Sequence, residues 1–274
     1  DTPDQTAAAI SAVTTALDQK IPGIAGLHLE GPHLSVARKG AHDGTLIRPM
    51  QDSDLRGLLD AANHIPNLMM TVAPESVTNA QIRAMADAGI IVSLGHSDCD
   101  YDTAMAAFDA GARCATHLFN AMSQAQGRAP GLVGAALDHG GAASGLIADA
   151  VHVHPAMIRT ALAANMGPSD VFMVTDAMAT AGSDITSFTL NGREILRRQG
   201  RLTLADGTLA GADLTMPQAI RVLVEQVKEP LEKALARATT IPAQMLRRAP
   251  SLDRVDDLVW LDNDLSKACW VTEL

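Results

Sequence analysis

Residues 90–117, IIVSLGHSDCDYDTAMAAFDAGARCATH, contain the pattern that decides the fold. An apolar run at 90–94 is followed by an alanine-rich stretch that Gly111 ends, and then by a second apolar run at 112–116. This order predicts two parallel strands joined by a helical crossover. A histidine follows each strand closely, His96 after the first and His117 after the second.

The same unit recurs along the chain. Near-continuous apolar runs, typical of buried parallel strands, occupy residues 24–29, 68–73, 90–94, 112–116, 144–148 and 171–175. Between them we expect a helix capped by Thr78 that ends at Ala88, a helix capped by Ser97 that ends at Ala110, and a helix beginning at Pro155.

Polar side chains follow these strands, and they are Glu30, Glu75, His96, His117, Asp149 and Asp176. The carboxyl ends of the strands carry the active site in a β/α barrel, but an open sheet also binds its ligand there. Six strands are visible in the sequence, whereas a closed barrel of this type needs eight.

The pattern changes after Asp176. Residues 188–196 predict a hairpin with a type I′ turn at Asn191-Gly192, and residues 202–209 predict a second hairpin. Helices are expected at 214–227 and from Pro230, and a final hairpin at 259–271. We therefore predict a barrel domain at residues 1–250 with a β-hairpin insertion near 186–211, and a small β-domain hairpin at 251–274.

Composition narrows the functional classes. The 274 residues are 47% hydrophobic, with a formal net charge of −10 and no basic run, which argues against nucleic acid as a partner. No apolar run is long enough for a membrane span, and no signal peptide is visible. Three scattered cysteines predict reduced thiols and a cytoplasmic protein.

Two histidines and two acids are candidates for chemistry. His96 and His117 stand 21 residues apart at the ends of adjacent strands, as two metal ligands or as two hydrogen-bonded structural histidines. Glu30 ends an apolar strand, where a metal ion or an arginine would offset the cost of burying its charge. Asp176 ends another strand, as a proton-transfer group or as a helix cap.

Two further segments invite a functional interpretation. His152 and His154 resemble a paired metal motif, but they precede Pro155 and a helix, so we expect His152 to reach the site and His154 to be structural. Arg128 lies in a Gly/Pro-rich loop after Asn120, where it could bind phosphate in a bidentate way or simply be solvated.

Taken together, seven segments resemble the N-acetylglucosamine-6-phosphate deacetylase family of the amidohydrolase superfamily. They occur in the family's order and spacing over nearly the whole chain: GLHLEGP at 26–32, GHS at 95–97, ATHLFNAM at 115–122, GRAPG at 127–131, IADAVH at 147–152, VTDA at 174–177 and LAGADLTM at 209–216. The resemblance implies a TIM-like (β/α) barrel with a small β-sandwich domain. It also implies hydrolysis of the acetamide of N-acetylglucosamine 6-phosphate by a metal-activated water.

The resemblance also implies residue roles. Glu30, His96 and His117 would bind a divalent metal, zinc first and iron as an alternative, with one or two ions per site, and Asp176 would be the catalytic acid/base. Asn120, the Ala121 backbone and Arg128 would engage the phosphate, and His42 and His152 would contact the sugar or its acyl oxygen. Leu214, Thr215 and Met216 would line the acetyl pocket. The Arg128 loop can serve a neighbouring subunit's site in this family, which implies a homodimer.

The chain departs from the family at its start. Two barrel strands that precede this region in the family, the first with a His-x-His or its variant, have no counterpart here, so we expect a truncated or incompletely represented protein. Two rival interpretations stay open: another amidohydrolase that acts on a cyclic amide or a nucleobase, and a non-catalytic sugar-phosphate binding protein or inactive fragment.

Overall fold

The computed structural model describes residues 2–167, 170–246 and 258–273. It divides into two compact units. The first contains residues 1–144, 165–170 and 245–248, and the second contains 145–164, 171–244 and 249–274.

The first unit is built on parallel strands in chain order, and they are β1 (Leu27–Glu30), β2 (Leu68–Val72), β3 (Ile91–Leu94), β4 (Cys114–Ala115) and the start of β5 (Ala143–Ile147). The register pairs Glu30 with Thr71 and Leu94 with Ala115. Every residue of β3 and β4 is buried, which explains their continuous apolar sequences. The predicted parallel sheet is confirmed, although β1 begins three residues later than the run at 24–29 suggested.

Helices alternate with these strands: α1 (Pro3–Asp18), α2 (Asp52–Ala61), α3 (Asn79–Asp87), α4 (Tyr101–Asp109) and α5 (Gly131–Asp138), with a short 3₁₀ helix at Val36–Arg38. Thr78 caps α3 through its side chain, as predicted. Ser97 was expected to cap α4, and this prediction is wrong because Asp100 is the cap. The Ser97 hydroxyl instead donates to the Glu75 carboxylate at 2.7 Å.

The second unit continues β5 and adds α6 (Pro155–Ala164) and β6 (Val171–Val174), which is next to β5 in the strand order. An antiparallel four-stranded sheet follows, consisting of β7 (Ser187–Leu190), β8 (Arg193–Arg198), β9 (Arg201–Thr203) and β10 (Leu209–Ala212). Both predicted hairpins are confirmed, and Asn191 and Gly192 have the positive φ angles of a type I′ turn.

The remaining elements are α7 (Met216–Val222), α8 (Leu231–Ala238), α9 (Thr240–Met245) and the hairpin β11 (Val259–Leu261) with β12 (Ala268–Trp270). A π-helical segment, Leu223–Val227, extends α7 to the end of the predicted helix. The predicted domain boundary at 250/251 lies outside the described residues. In the described part of the chain, no helix combines the length and the apolarity needed to cross a membrane.

Candidate active site

Three side chains converge at the carboxyl ends of β1, β3 and β4. His117 Nε2 lies 3.0 Å from Glu30 Oε1 and 3.0 Å from His96 Nε2, and His96 Nε2 lies 3.2 Å from the same carboxylate oxygen. Both imidazoles are buried, with side chains only 7% exposed. The structure thus brings together the three residues that the sequence suggested as metal ligands.

These distances suit a shared cation. Two imidazole nitrogens 3.0 Å apart can share at most one proton, and the carboxylate competes for it. Nitrogen and oxygen ligands at usual zinc distances would lie about 3.3 Å from one another in a tetrahedral shell. The observed separations of 3.0–3.2 Å are close to that value, so the donor set fits a divalent metal.

A fourth side chain joins this cluster. His42 Nε2 lies 3.4 Å from Glu30 Oε2, and its ring meets the His96 ring edge to face with centroids 4.7 Å apart. Glu30, His42 and His96 could hold an ion together. The sequence suggested a sugar contact for His42, and that role stays a prediction.

Backbone contacts orient His96. Its Nδ1 donates to the Arg38 carbonyl at 2.8 Å, which leaves the Nε2 lone pair facing the cluster. The His96 carbonyl accepts from Ser35 N–H at 2.8 Å. Hydrogen bonds to both Nδ1 and the main-chain carbonyl therefore hold His96 in place.

The residues that end three of the strands share an unusual backbone conformation. His96, His117 and Asp176 have φ angles of 48°, 36° and 51°, in the left-handed region that side chains other than glycine rarely adopt. Each residue in this conformation lowers the stability of the folded protein by about 1–3 kcal/mol, and such residues are concentrated at functional sites. The fold holds three candidate site residues in this strained state.

The charge of Glu30 is stabilised by its neighbours. Burial alone would raise the pKa of its carboxyl, but the adjacent imidazoles of His117, His42 and His96 hold that pKa well below its usual range. The carboxylate is therefore ionised wherever the protein is folded at ordinary pH. An anionic oxygen beside imidazole nitrogens favours a bound cation.

The predicted phosphate contacts occupy the segment after β4. Asn120 Nδ2 donates to the carbonyls of His117 and Leu118, each at 3.3 Å, and Ala121 has a φ of 48°. Arg128 is exposed and, with Arg38 among other residues, lines a cavity of about 480 Å³. Their binding of phosphate stays a prediction.

In the second unit, Asp149 holds His152. The Asp149 carboxylate accepts from His152 Nδ1 at 2.6 Å and from the backbone N–H groups of Val151 and His152 at 2.8 Å. Burial opposes the charge, but these hydrogen bonds lower the pKa of Asp149. His154 accepts from Ala156 N–H at 3.1 Å at the start of α6, and its structural role stays a prediction.

Strand β10 supports the backbone of Asp176. Ala212 N–H donates to the Asp176 carbonyl at 2.8 Å, and Gly211 has a φ of 74°. A Cβ at Gly211 would overlap Met178 and lie 2.9 Å from the Asp176 oxygen, so only glycine allows this approach.

The predicted acetyl-pocket residues come directly after β10. Leu214 is buried, and Met216 begins α7. The Thr215 side chain accepts from Gln218 N–H and caps that helix. Thr215 therefore has a structural role, and lining of an acetyl pocket by these three residues stays a prediction.

Several contacts around the site were missed in the sequence. Glu75 was noted only for its position, yet it accepts from Ser97 and from Asp98 N–H, directly after His96. Asp149 was also noted only for its position. The sequence feature that could have indicated its contact with His152 is a carboxylate three residues before a histidine. The Arg38 carbonyl has no side-chain signature at all.

A model of the amidohydrolase family matches residues 1–256. The chain belongs to the amidohydrolase family. It is 40% identical over 261 residues to an N-acetylgalactosamine-6-phosphate deacetylase of Shewanella sp. (strain ANA-3), covering 94% of this chain and 66% of that protein. The chain spans between half and two thirds of the curated relatives it matches.

Solved structures agree. The N-acetylglucosamine-6-phosphate deacetylase of Pasteurella multocida has a TM-score of 0.90 and 35% identity, covering 97% of this chain and 70% of that one. A variant of the Mycobacterium smegmatis deacetylase in complex with N-acetyl-D-glucosamine-6-phosphate has a TM-score of 0.82 and 34% identity, covering 94% and 70%. The predicted (β/α)-barrel fold class is confirmed, and the family implies a divalent metal ion.

Proposed function

We propose that this amidohydrolase removes the acetyl group from an N-acetylated amino-sugar 6-phosphate, with acetate and the free amine as products. The observation that carries the proposal is the convergence of Glu30, His96 and His117 within 3.0–3.2 Å. The names of the relatives at 35–40% identity support this reaction, as does the substrate complex of the Mycobacterium smegmatis protein.

Glu30, His96 and His117 would hold the metal, for which we propose Zn²⁺, and His42 is close enough to Glu30 to contribute. A bound divalent cation would supply a more acidic water and a polarised acetamide carbonyl. The Arg38 carbonyl keeps His96 in the tautomer whose Nε2 is free to bind metal.

Asp176 accepts a proton from the attacking water and returns it to the departing sugar nitrogen. His152 is fixed by Asp149 and stabilises the acyl oxygen as negative charge develops there. Asn120, the Ala121 N–H and Arg128 bind the phosphate, and this remote binding orients the amide for attack.

Glucosamine is the sugar that we propose, because both solved relatives above act on the gluco form by name. The galacto form is a second candidate, because the Shewanella relative bears that name at 40% identity. Comparing kcat/KM for the two N-acetyl sugar 6-phosphates decides between them. We further propose a homodimer and a cytoplasmic location.

The reaction is tested with Asp176→Asn, which keeps the side-chain shape but removes the base. Acetate release is expected to fall by at least about 100-fold while metal content is unchanged, since general acid–base groups contribute that much. A loss below about tenfold at full metal occupancy would remove Asp176 from this role.

Assays of the unaltered protein separate the rival functions. A protein that hydrolyses cyclic amides or nucleobases would be indifferent to the sugar phosphate. A non-catalytic binding protein would bind the phosphorylated sugar without releasing acetate. Unphosphorylated N-acetyl sugar is the control, and we expect a strong preference for the phosphorylated form.

A further inference from the structure

Arg197 on β8 makes a three-point contact within the second unit. Its Nε and one terminal nitrogen donate to the two carboxylate oxygens of Asp213, each at 2.9 Å. Its other terminal nitrogen donates to the Ser183 carbonyl at 2.7 Å. This geometry uses the planar, forked donor set that arginine has and lysine lacks.

The two partners of Arg197 belong to the two segments that flank the candidate base. Ser183 lies in the loop that follows Asp176, and its N–H donates to the Thr180 carbonyl at 3.2 Å. Asp213 directly follows Ala212, whose N–H donates to the Asp176 carbonyl at 2.8 Å. One guanidinium therefore connects the loop after Asp176 to the strand that supports the Asp176 backbone.

Asp213 also directly precedes Leu214, the first of the residues predicted to line the acetyl pocket. Its side chain is 18% exposed and that of Arg197 is 30% exposed, so water screens the pair only in part. The salt bridge thus lies at the junction between β10 and the predicted pocket.

We propose that Arg197 is a positioning residue for the deacetylation step, acting through Asp213 and Ser183 to hold Asp176 in its productive orientation. This inference rests on the proposed function, because it assumes that Asp176 transfers the proton. Strand β8 of the four-stranded sheet would then contribute to catalysis, because it carries the arginine that restrains Asp176, a strained residue with a φ of 51°.

The informative change is Arg197→Lys. Lysine keeps the charge and the stem but has a single point of donation, so it cannot hold Asp213 and Ser183 together. We expect kcat to fall by about 10- to 100-fold, as for a base displaced by a fraction of an ångström. KM and metal content should be unchanged, because Arg197 is not among the residues proposed to bind the metal or the phosphate.

Arg198→Lys is the matched control, because Arg198 is the next residue of β8 and is exposed. It should leave kcat unchanged. Asp213→Asn is a second variant of nearly identical shape that loses one of the two oxygen acceptors, and it should lower kcat in the same way. Thermal unfolding of each variant shows whether it is folded at the assay temperature.

The outcomes are separable. A fall in kcat for Arg197→Lys and Asp213→Asn, at constant KM and metal content, supports the inference. A kcat within about twofold of the parent in either folded variant overturns it, as does a loss that follows metal content. If the parent protein releases no acetate, the proposed function fails, and this inference fails with it.

Discussion

Replacing Gly95 by alanine is expected to weaken metal binding without any change to a ligand. Gly95 directly precedes His96, and its missing side chain faces the buried Thr71 and Thr116. A methyl group there would lie 2.9 Å from Thr116 Cβ and 3.0 Å from Thr71 Cγ2, whereas ordinary contact begins at 3.4 Å. To make room for the methyl group, the two threonines or the Gly95 backbone must therefore move by about 0.4–0.5 Å.

That displacement is as large as a binding site tolerates, since ligands must be held to about 0.5 Å. Thr71 and Thr116 are hydrogen bonded to each other at 2.7 Å, so they cannot separate freely, and His117 directly follows Thr116. We therefore expect the histidines to shift, with metal affinity falling by about 10- to 100-fold, as when a supporting contact is lost. Stability should fall by about 1–3 kcal/mol through overpacking.

Isothermal titration with Zn²⁺ measures the affinity, and urea denaturation measures the stability. Gly57→Ala is the control, because a Cβ there meets nothing within 4 Å in the middle of α2. It should raise stability by about 0.5–1 kcal/mol and leave zinc affinity unchanged. Parental zinc affinity in a folded Gly95→Ala variant would refute the reasoning that packing beneath His96 sets the metal geometry.

Two further outcomes are expected. Hydrogen bonding to Arg48 lowers the pKa of Asp54 to about 2, so its stabilising effect is complete above pH 4 and is lost as pH falls from about 4 toward 2. Urea titrations should show Asp54→Asn to be less stable by about 1–2 kcal/mol at neutral pH, with the difference vanishing near pH 2; a constant difference would contradict this. His154→Ala should lower stability by about 0.5–1 kcal/mol with unchanged acetate release. His152→Ala should lower acetate release, and equal effects on activity would remove the distinction between the two histidines.

The parallel strands could be predicted because burial on both faces leaves a continuous apolar signal. The helix α1 (Pro3–Asp18) was missed: none of its residues is buried, although Ile10, Val13 and Leu17 follow one another at helical spacing. Its start signal was present, since Thr2 and Gln5 form a capping box. A capping box and a short apolar spacing were not enough to predict this helix.

Ser97 shows why a local pattern can mislead. The residue has the right type and position to cap a helix, and a cap three residues later was not expected. Its hydroxyl is buried and donates to Glu75, a residue of the loop after β2, while the Asp100 side chain accepts from Thr103 N–H. A tertiary hydrogen bond had already used the group that the local sequence assigned to the helix.

The ligand residues could be suggested from their types and their strand-end positions, but their supports could not. His42 lies in a segment without periodicity, so nothing in the sequence placed it beside Glu30. The acceptor that orients His96 is the Arg38 carbonyl, and a main-chain oxygen is present at every residue. Sequence patterns identify side-chain chemistry, whereas backbone acceptors are selected only by the path of the folded chain.

The spacing of 21 residues between His96 and His117 follows from the strand register. Leu94 pairs with Ala115 across β3 and β4, and each histidine stands two residues beyond its paired residue. Both then turn through a positive φ, so neighbouring strands end in the same way and deliver their imidazoles side by side. A slip of one residue in this pairing would move one ring by about 3.3 Å along the strand and break the cluster. The continuous apolar runs that bury β3 and β4 therefore also fix the distance between the two candidate ligands.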